Sequence, residues 1–198
     1  MHADALIDMV RGLHLLCFAA GMGVGLCFDL RTLRTLNAPV TRDDVWTLHQ
    51  VHLWITAAFG GLWITGLALV YVRTGFALEA FTPMLWTKLG LMTLMVANAV
   101  AIARVVMPVM EASVGRMLTA LPARRLAVVT QIAVTSLFCW TAGMALGSSV
   151  VLKTAGWDVL LPLVIGGYVA MTVGGQAMTW TARWRRAEDP LMRLRGMG

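Results

Sequence analysis

The chain is poor in charge. Of its 198 residues only 13% are Asp, Glu, Lys or Arg, while 59% are hydrophobic and the mean hydropathy is +0.75. A soluble globular domain carries about a quarter charged residues, so this composition excludes an ordinary water-facing surface. Cysteine is scarce as well. Cys17, Cys27 and Cys139 all lie in apolar stretches with no Cys-x-x-Cys, which reads as free thiols packed as small hydrophobes rather than a disulfide framework. There is no Gly-x-Ser-x-Gly elbow, no Walker loop and no pair of carboxylates deep in an apolar run. The last absence argues against a proton-driven transporter of the usual kind, which tends to need a membrane carboxylate. Residues 1–10 hold Asp4 and Asp8 but no Lys or Arg. A cleavable signal peptide is therefore not expected, and the first apolar segment is expected to remain as a helix. The net charge of +6 does not point to nucleic acid, because the basic residues gather at the ends of apolar runs. An anionic lipid leaflet suits them better.

What the chain does have is five long apolar runs, over 6–30, 45–72, 84–110, 126–152 and 157–182. Each exceeds the ~20 residues a helix needs to cross a bilayer. Lipid cannot hydrogen-bond a backbone, so the runs must be helices. The expected fold is all-α, a polytopic transmembrane bundle of five helices in one domain over 1–198. Turn chemistry fills the breaks: Asn37-Ala38-Pro39 closes the first helix and Thr41-Arg42-Asp43-Asp44 reads as a capping box opening the second. Arg73-Thr74-Gly75 ends the second, Pro83 starts the third, and Leu121-Pro122 separates the third from the fourth. Arg31, Arg34, Arg42, Arg116, Arg124, Arg125 and the tail arginines Arg183, Arg185, Arg186, Arg193 and Arg195 fall on one side of five spans. Only Arg11, Arg73, Lys88 and Lys153 fall on the other. The positive-inside rule then places the N-terminus outside and the C-terminus in the cytoplasm, as a multi-pass protein of a bacterial inner membrane. The tail after Arg186, broken by Pro190, reads as a frayed or surface-lying end.

Polar side chains inside spans are costly to keep, so each is a candidate functional group. Counting from span ends at ~1.5 Å per residue puts His14 in a layer with Gly60, Gly61, Met92, Gly143, Met144 and 167–171. An imidazole among glycines and thioethers is what a haem requires. The competing reading of His14 is a core histidine hydrogen-bonded to a neighbouring helix. A second layer holds His49 and His52 with Gly23, Gly25, Arg104, Gln131, Gly174, Gly175 and Gln176, where Arg104 would meet a propionate. A network of these groups with Asp29 and Arg31 is the alternative. His14, His49 and His52 are the candidate metal ligands. Lys88 either snorkels or faces inward above His14. Asn98, mid-span, should find a partner across a helix interface. The Gly21/Gly25 and Gly143/Gly147 pairs offer close-packing faces, within the bundle or toward a homo-oligomer or larger membrane complex.

Leu13-His14-Leu15-Leu16-Cys17-Phe18, the glycines through Gly25, and Asp29-Leu30-Arg31 resemble the first helix of a bacterial integral-membrane family of unknown function. Trp86-x-Lys88-Leu89-Gly90 with Asn98 and Pro108 resembles that family's third helix. More distantly, a first-helix histidine with a lysine opening a later helix is similar to HemJ and CopD-type membrane proteins. HemJ proteins bind haem b and oxidise protoporphyrinogen, and CopD proteins are associated with copper. The resemblance implies that His14 ligates haem and that Lys88 is the functional lysine. The chain departs from HemJ in having five spans rather than four and in its spacing after His14.

The sequence thus points first to haem b held by His14, with Met92, Lys88, His52 and Arg104 around it, in electron transfer or tetrapyrrole redox chemistry. A non-enzymatic membrane subunit or assembly partner is the second reading. A copper or other metal transport protein is the third.

Overall fold

The computed structural model describes residues 2–188, with side chains for 4–185. After Arg186 the last helix continues through Glu188, and the rest of the expected end, with Arg193 and Arg195, lies outside the described residues. Among those described, the fold is all-α. Five helices are each long and apolar enough to cross a membrane. They are α1 (His2–Arg34), α2 (Arg42–Thr74), α3 (Pro83–Ala112), α4 (Ala123–Ser148) and α5 (Trp157–Glu188). Their outer faces are as apolar as their inner ones: Leu15 is 66% exposed, Ile64 73% and Val173 63%. Helices apolar all round need lipid or protein, not water, beyond them.

Local chemistry sets the ends. The Thr41 hydroxyl accepts from the Asp44 N–H at 3.1 Å and the Asp44 carboxylate accepts from the Thr41 N–H at 2.9 Å, closing the capping box that opens α2. Gly75, at φ 57°, takes the left-handed position that ends α2, and its N–H reaches the Tyr71 carbonyl at 2.8 Å. Thr82 caps α3 ahead of Pro83. The fourth helix stops at Ser148, four residues before the expected Leu152. There the Ser149 hydroxyl accepts from the Leu152 N–H at 3.2 Å, so a side-chain bond replaces a helical one. Inside α3 a π turn spans Ile102–Val106. Pro108 has no N–H to offer the Arg104 carbonyl, and a one-residue bulge is a common way for a helix to absorb that loss.

Trp140 of α4 is the pillar of the core. It is 2% exposed and meets Phe18 of α1 and Phe59 of α2 edge-on, at 5.3 and 5.8 Å between ring centres. A smaller apolar cluster of Val40, Leu48, Met107, Met110 and Leu118 closes the arginine-rich end. Hydrogen bonds lace that end together. The Asn37 amide donates to the Ala182 carbonyl, Thr119 donates to Asn37, and Arg183 donates to the Leu121 carbonyl at 2.7 Å. The ends of all five helices that carry Arg31, Arg34, Arg42, Arg116, Arg124, Arg125, Arg183 and Arg185 therefore lie together.

Candidate functional site

Below Trp140, toward the arginine-rich end, α1 to α4 do not close on one another. They leave a cavity of about 920 Å³, its open mouth included. Most of the wall is apolar: Phe28, Ile55, Phe59, Met95 and Ile132 contribute, and the π turn adds Ile102 and Val106. Ala133 on the α4 wall is exposed, so the cavity is open on that side. A crevice shares Phe28, Thr32, Met110 and Leu118 with it and extends to Arg31 and Asp44, which form an ion pair at 2.8 Å.

Four residues on this wall carry polar groups without a hydrogen-bond partner among the described residues. Asn98, only 7% exposed, lines it and makes no side-chain hydrogen bond with any described residue. That departs from the expectation of an interhelical partner. The amide sits on the face of α3 that looks into the gap rather than onto a neighbouring helix. Asp29 of α1 also lines the cavity and makes no ion pair or hydrogen bond with a described residue. The expected network of Asp29 with Arg31 does not form, since Arg31 reaches across to Asp44 instead. The His52 imidazole is the third group, and Trp140 Nε1, buried with no hydrogen-bond partner, is the fourth. A largely apolar cavity with a few convergent polar groups is the usual form of a small-molecule site.

The other predicted residues are dispersed. His14 does not line the cavity. Its Nδ1 lies 2.8 Å from Thr65 Oγ1 on α2, and a Cβ at Gly66 would stand 3.4 Å from its ring. The layer expected around His14 thus shifts by about one turn on α2, from Gly60 and Gly61 to Thr65 and Gly66. The register follows side-chain packing between antiparallel helices, not distance from span ends. Thr65 and His52 are thirteen residues apart on one helix, about 20 Å of rise, so the imidazole of His14 and the cavity are in different parts of the bundle. His49 is exposed and pairs with Glu111 at 3.0 Å. The three candidate metal histidines are therefore not brought together, and no group of three or more His, Cys, Asp or Glu side chains suited to a metal occurs among the described residues.

Met92 packs on the core cluster, and the methionines on the cavity wall are Met95 and Met110. Arg104 is exposed on the π turn, away from the cavity wall. Lys88 is half-buried near His14, with Arg73 and Lys153 as its charged neighbours at the other end of the bundle. Of the paired glycines, Gly21, Gly25 and Gly143 serve internal packing. A Cβ at Gly21 would fall 2.5 Å from the Trp140 ring and one at Gly61 2.6 Å from Cys17 Sγ, while Gly143 faces Phe18. Gly147 has open space beside it. Gln131 and Gln176 belong to an α4–α5 seam. Gln131 Nε2 donates to Tyr168 Oη at 2.8 Å and to Thr172 at 3.1 Å, Thr135 meets the same phenol at 2.9 Å, and Gln176 donates to the Ala127 carbonyl.

Sequence reasoning missed Asp29 and Trp140 as site residues. The signal for Asp29 was present: a carboxylate five residues before the end of an apolar helix, with the nearest arginine two positions on and so on another face.

No protein-family model, no curated protein and no solved structure matches the chain.

Proposed function

We propose that the chain is a multi-pass membrane protein that takes a small molecule from the lipid phase into the cavity between α1 and α4. The arginine-rich end faces the cytoplasm and the N-terminus the opposite side. The observation that carries this reading is Asn98. The residue is only 7% exposed, no described group hydrogen-bonds its amide, and it lines the cavity with Asp29, His52 and Trp140. A ligand with an apolar body and a polar group satisfies both the wall and the amide.

The test is an inventory of what co-purifies. The full chain, extracted into nanodiscs, is expected to carry a bound apolar molecule detectable by native mass spectrometry. Ala99→Phe or Ser136→Phe fills the cavity and should remove it. Identical inventories in wild type and blocked variants would sink the proposal.

Haem b is the alternative that His52 favours, since this imidazole adjoins the open space and His14 does not. A Soret band lost in His52→Ala and kept in His14→Ala is what that alternative requires.

A further inference from the structure

We infer that the occupant of the cavity is a lipophilic organic cation, an inference that rests on the ligand-binding reading above. The charge of the wall favours it. Among the described residues, Asp29 is its sole acidic residue, and no Lys or Arg lines it. The cations closest in sequence to the site are accounted for elsewhere: Arg31 is paired with Asp44 at 2.8 Å, and Arg104 is exposed on the outer side of the π turn. Asp29 has no hydrogen-bond or ion-pair partner among the described residues. A carboxyl group in an apolar site either takes up a proton or keeps its charge beside a counter-charge. No described residue supplies that counter-charge, so the ligand that meets Asp29 in its ionised form is the one that carries it.

The rest of the wall fits the same chemistry. Phe28, Phe59 and Trp140 all line the space, and aromatic faces attract a desolvated cation through the ring quadrupole. The apolar wall accommodates hydrocarbon around that charge. Asn98 and His52 offer acceptor atoms to an N–H of a protonated amine. An anionic lipid headgroup or a carboxylate ligand would meet Asp29 with repulsion and find no arginine to hold it. A neutral ring compound would satisfy Asn98 but leave the carboxylate uncompensated.

Two ions of one shape and opposite sign separate these cases. Equilibrium dialysis of the full chain in detergent, with tetraphenylphosphonium and then tetraphenylborate, reads the sign preference of the wild-type protein. The expected result is saturable tetraphenylphosphonium binding, roughly tenfold or more tighter than tetraphenylborate. Asp29→Asn should erase that preference and Asp29→Glu should retain it, with circular dichroism and gel filtration confirming that both variants fold. Equal affinity for the two ions in wild type, or a preference for the borate, overturns the cation assignment. Saturable binding of neutral triphenylmethanol that is lost in Ser136→Phe, alongside no preference for the cation, overturns the assignment while keeping the cavity as a ligand site. Failure of all three probes to bind saturably, with Ser136→Phe behaving as wild type, overturns both readings.

Discussion

Thr65 Oγ1 lies 2.8 Å from His14 Nδ1 and 2.6 Å from the Gly61 carbonyl one turn back on its own helix. A hydroxyl has one proton. With that proton on the Gly61 carbonyl, the imidazole is the donor in the His14–Thr65 contact. The bond also sets the α1–α2 register, with Cys17 on Gly61 and Gly21 beside Ala58 on the same seam.

Removing either partner should loosen that seam. Thr65→Val and His14→Phe are each expected to destabilise the protein by about 1 kcal/mol, with a coupling of about 0.6–1.7 kcal/mol between them. Unfolding in mixed micelles, run as a double-mutant cycle, measures the coupling. A value of zero would mean the two side chains merely adjoin. Neither substitution should alter the cavity.

The spans were legible because bilayer thickness imposes one length on every crossing, and the caps because Thr41 with Asp44 and Gly75 each solve a local backbone problem that neighbouring residues reveal. The end of α4 was less legible. Ser149 competes for a backbone N–H, and an apolar run through Leu152 does not show that competition. The site was harder still. Depth counting located His14 and His52 in separate layers, yet which way a side chain points depends on helix rotation, and helix rotation is set by packing. Trp140 illustrates the difficulty: it reads as one more tryptophan in an apolar run, but glycines at positions 21 and 25 of a different helix clear the space that lets it fill the bundle and roof the cavity. Asn98 became informative only through the partners it lacks, which no single sequence displays.

The fit between Gly21 and Trp140 makes a sharp prediction. A Cβ at Gly21 would press on ring atoms of a side chain hemmed by Phe18 and Phe59, and a buried indole cannot step aside. Gly21→Ala should cost about 1–3 kcal/mol, the usual range for overpacking. Gly23, with nothing within 4 Å of its would-be Cβ, provides the control. Gly23→Ala should be neutral or slightly stabilising in the same unfolding assay, because alanine is the better helix former. Equal effects at the two glycines would contradict the packing described.

On the α4–α5 seam, Tyr168 supplies one oxygen to two partners, Gln131 and Thr135. Tyr168→Phe keeps the ring against Phe138, at 5.1 Å between centres, and removes only the hydroxyl. Gln131 retains Thr172, so the loss is partial, about 0.5–1.5 kcal/mol. Hydrogen exchange read by mass spectrometry should show faster exchange at the ends of α5 with α1 and α2 unchanged. Uniform acceleration across all helices would mean that the seam is not a local fastening.

The His49–Glu111 pair is exposed on both sides, at 47% and 54%. A contact so open to its surroundings contributes at most about 1 kcal/mol, even when the imidazole is charged. His49→Ala should therefore shift stability by less than about 0.5 kcal/mol and leave ligand retention intact, whereas His52→Ala, three residues along the helix and on the cavity wall, should weaken retention. Native mass spectrometry of both variants distinguishes them. Comparable losses would place the two histidines in one functional unit after all.

Orientation follows from charge and is open to direct measurement. Eight arginines with described side chains, from Arg31 to Arg185, cluster at one end of the bundle, against Arg11, Arg73, Lys88 and Lys153 at the other. Translocating the richer end is the disfavoured event. With Cys17, Cys27 and Cys139 replaced by alanine, single cysteines at two exposed positions, Ala123 at the arginine-rich end and Thr154 at the other, report the sides. A membrane-impermeant maleimide added to intact cells should label Thr154→Cys and should reach Ala123→Cys only after permeabilisation. Labelling in the reverse order would invert the topology. The cavity would then open nearer the outer face, and its occupant would have to be supplied from that leaflet.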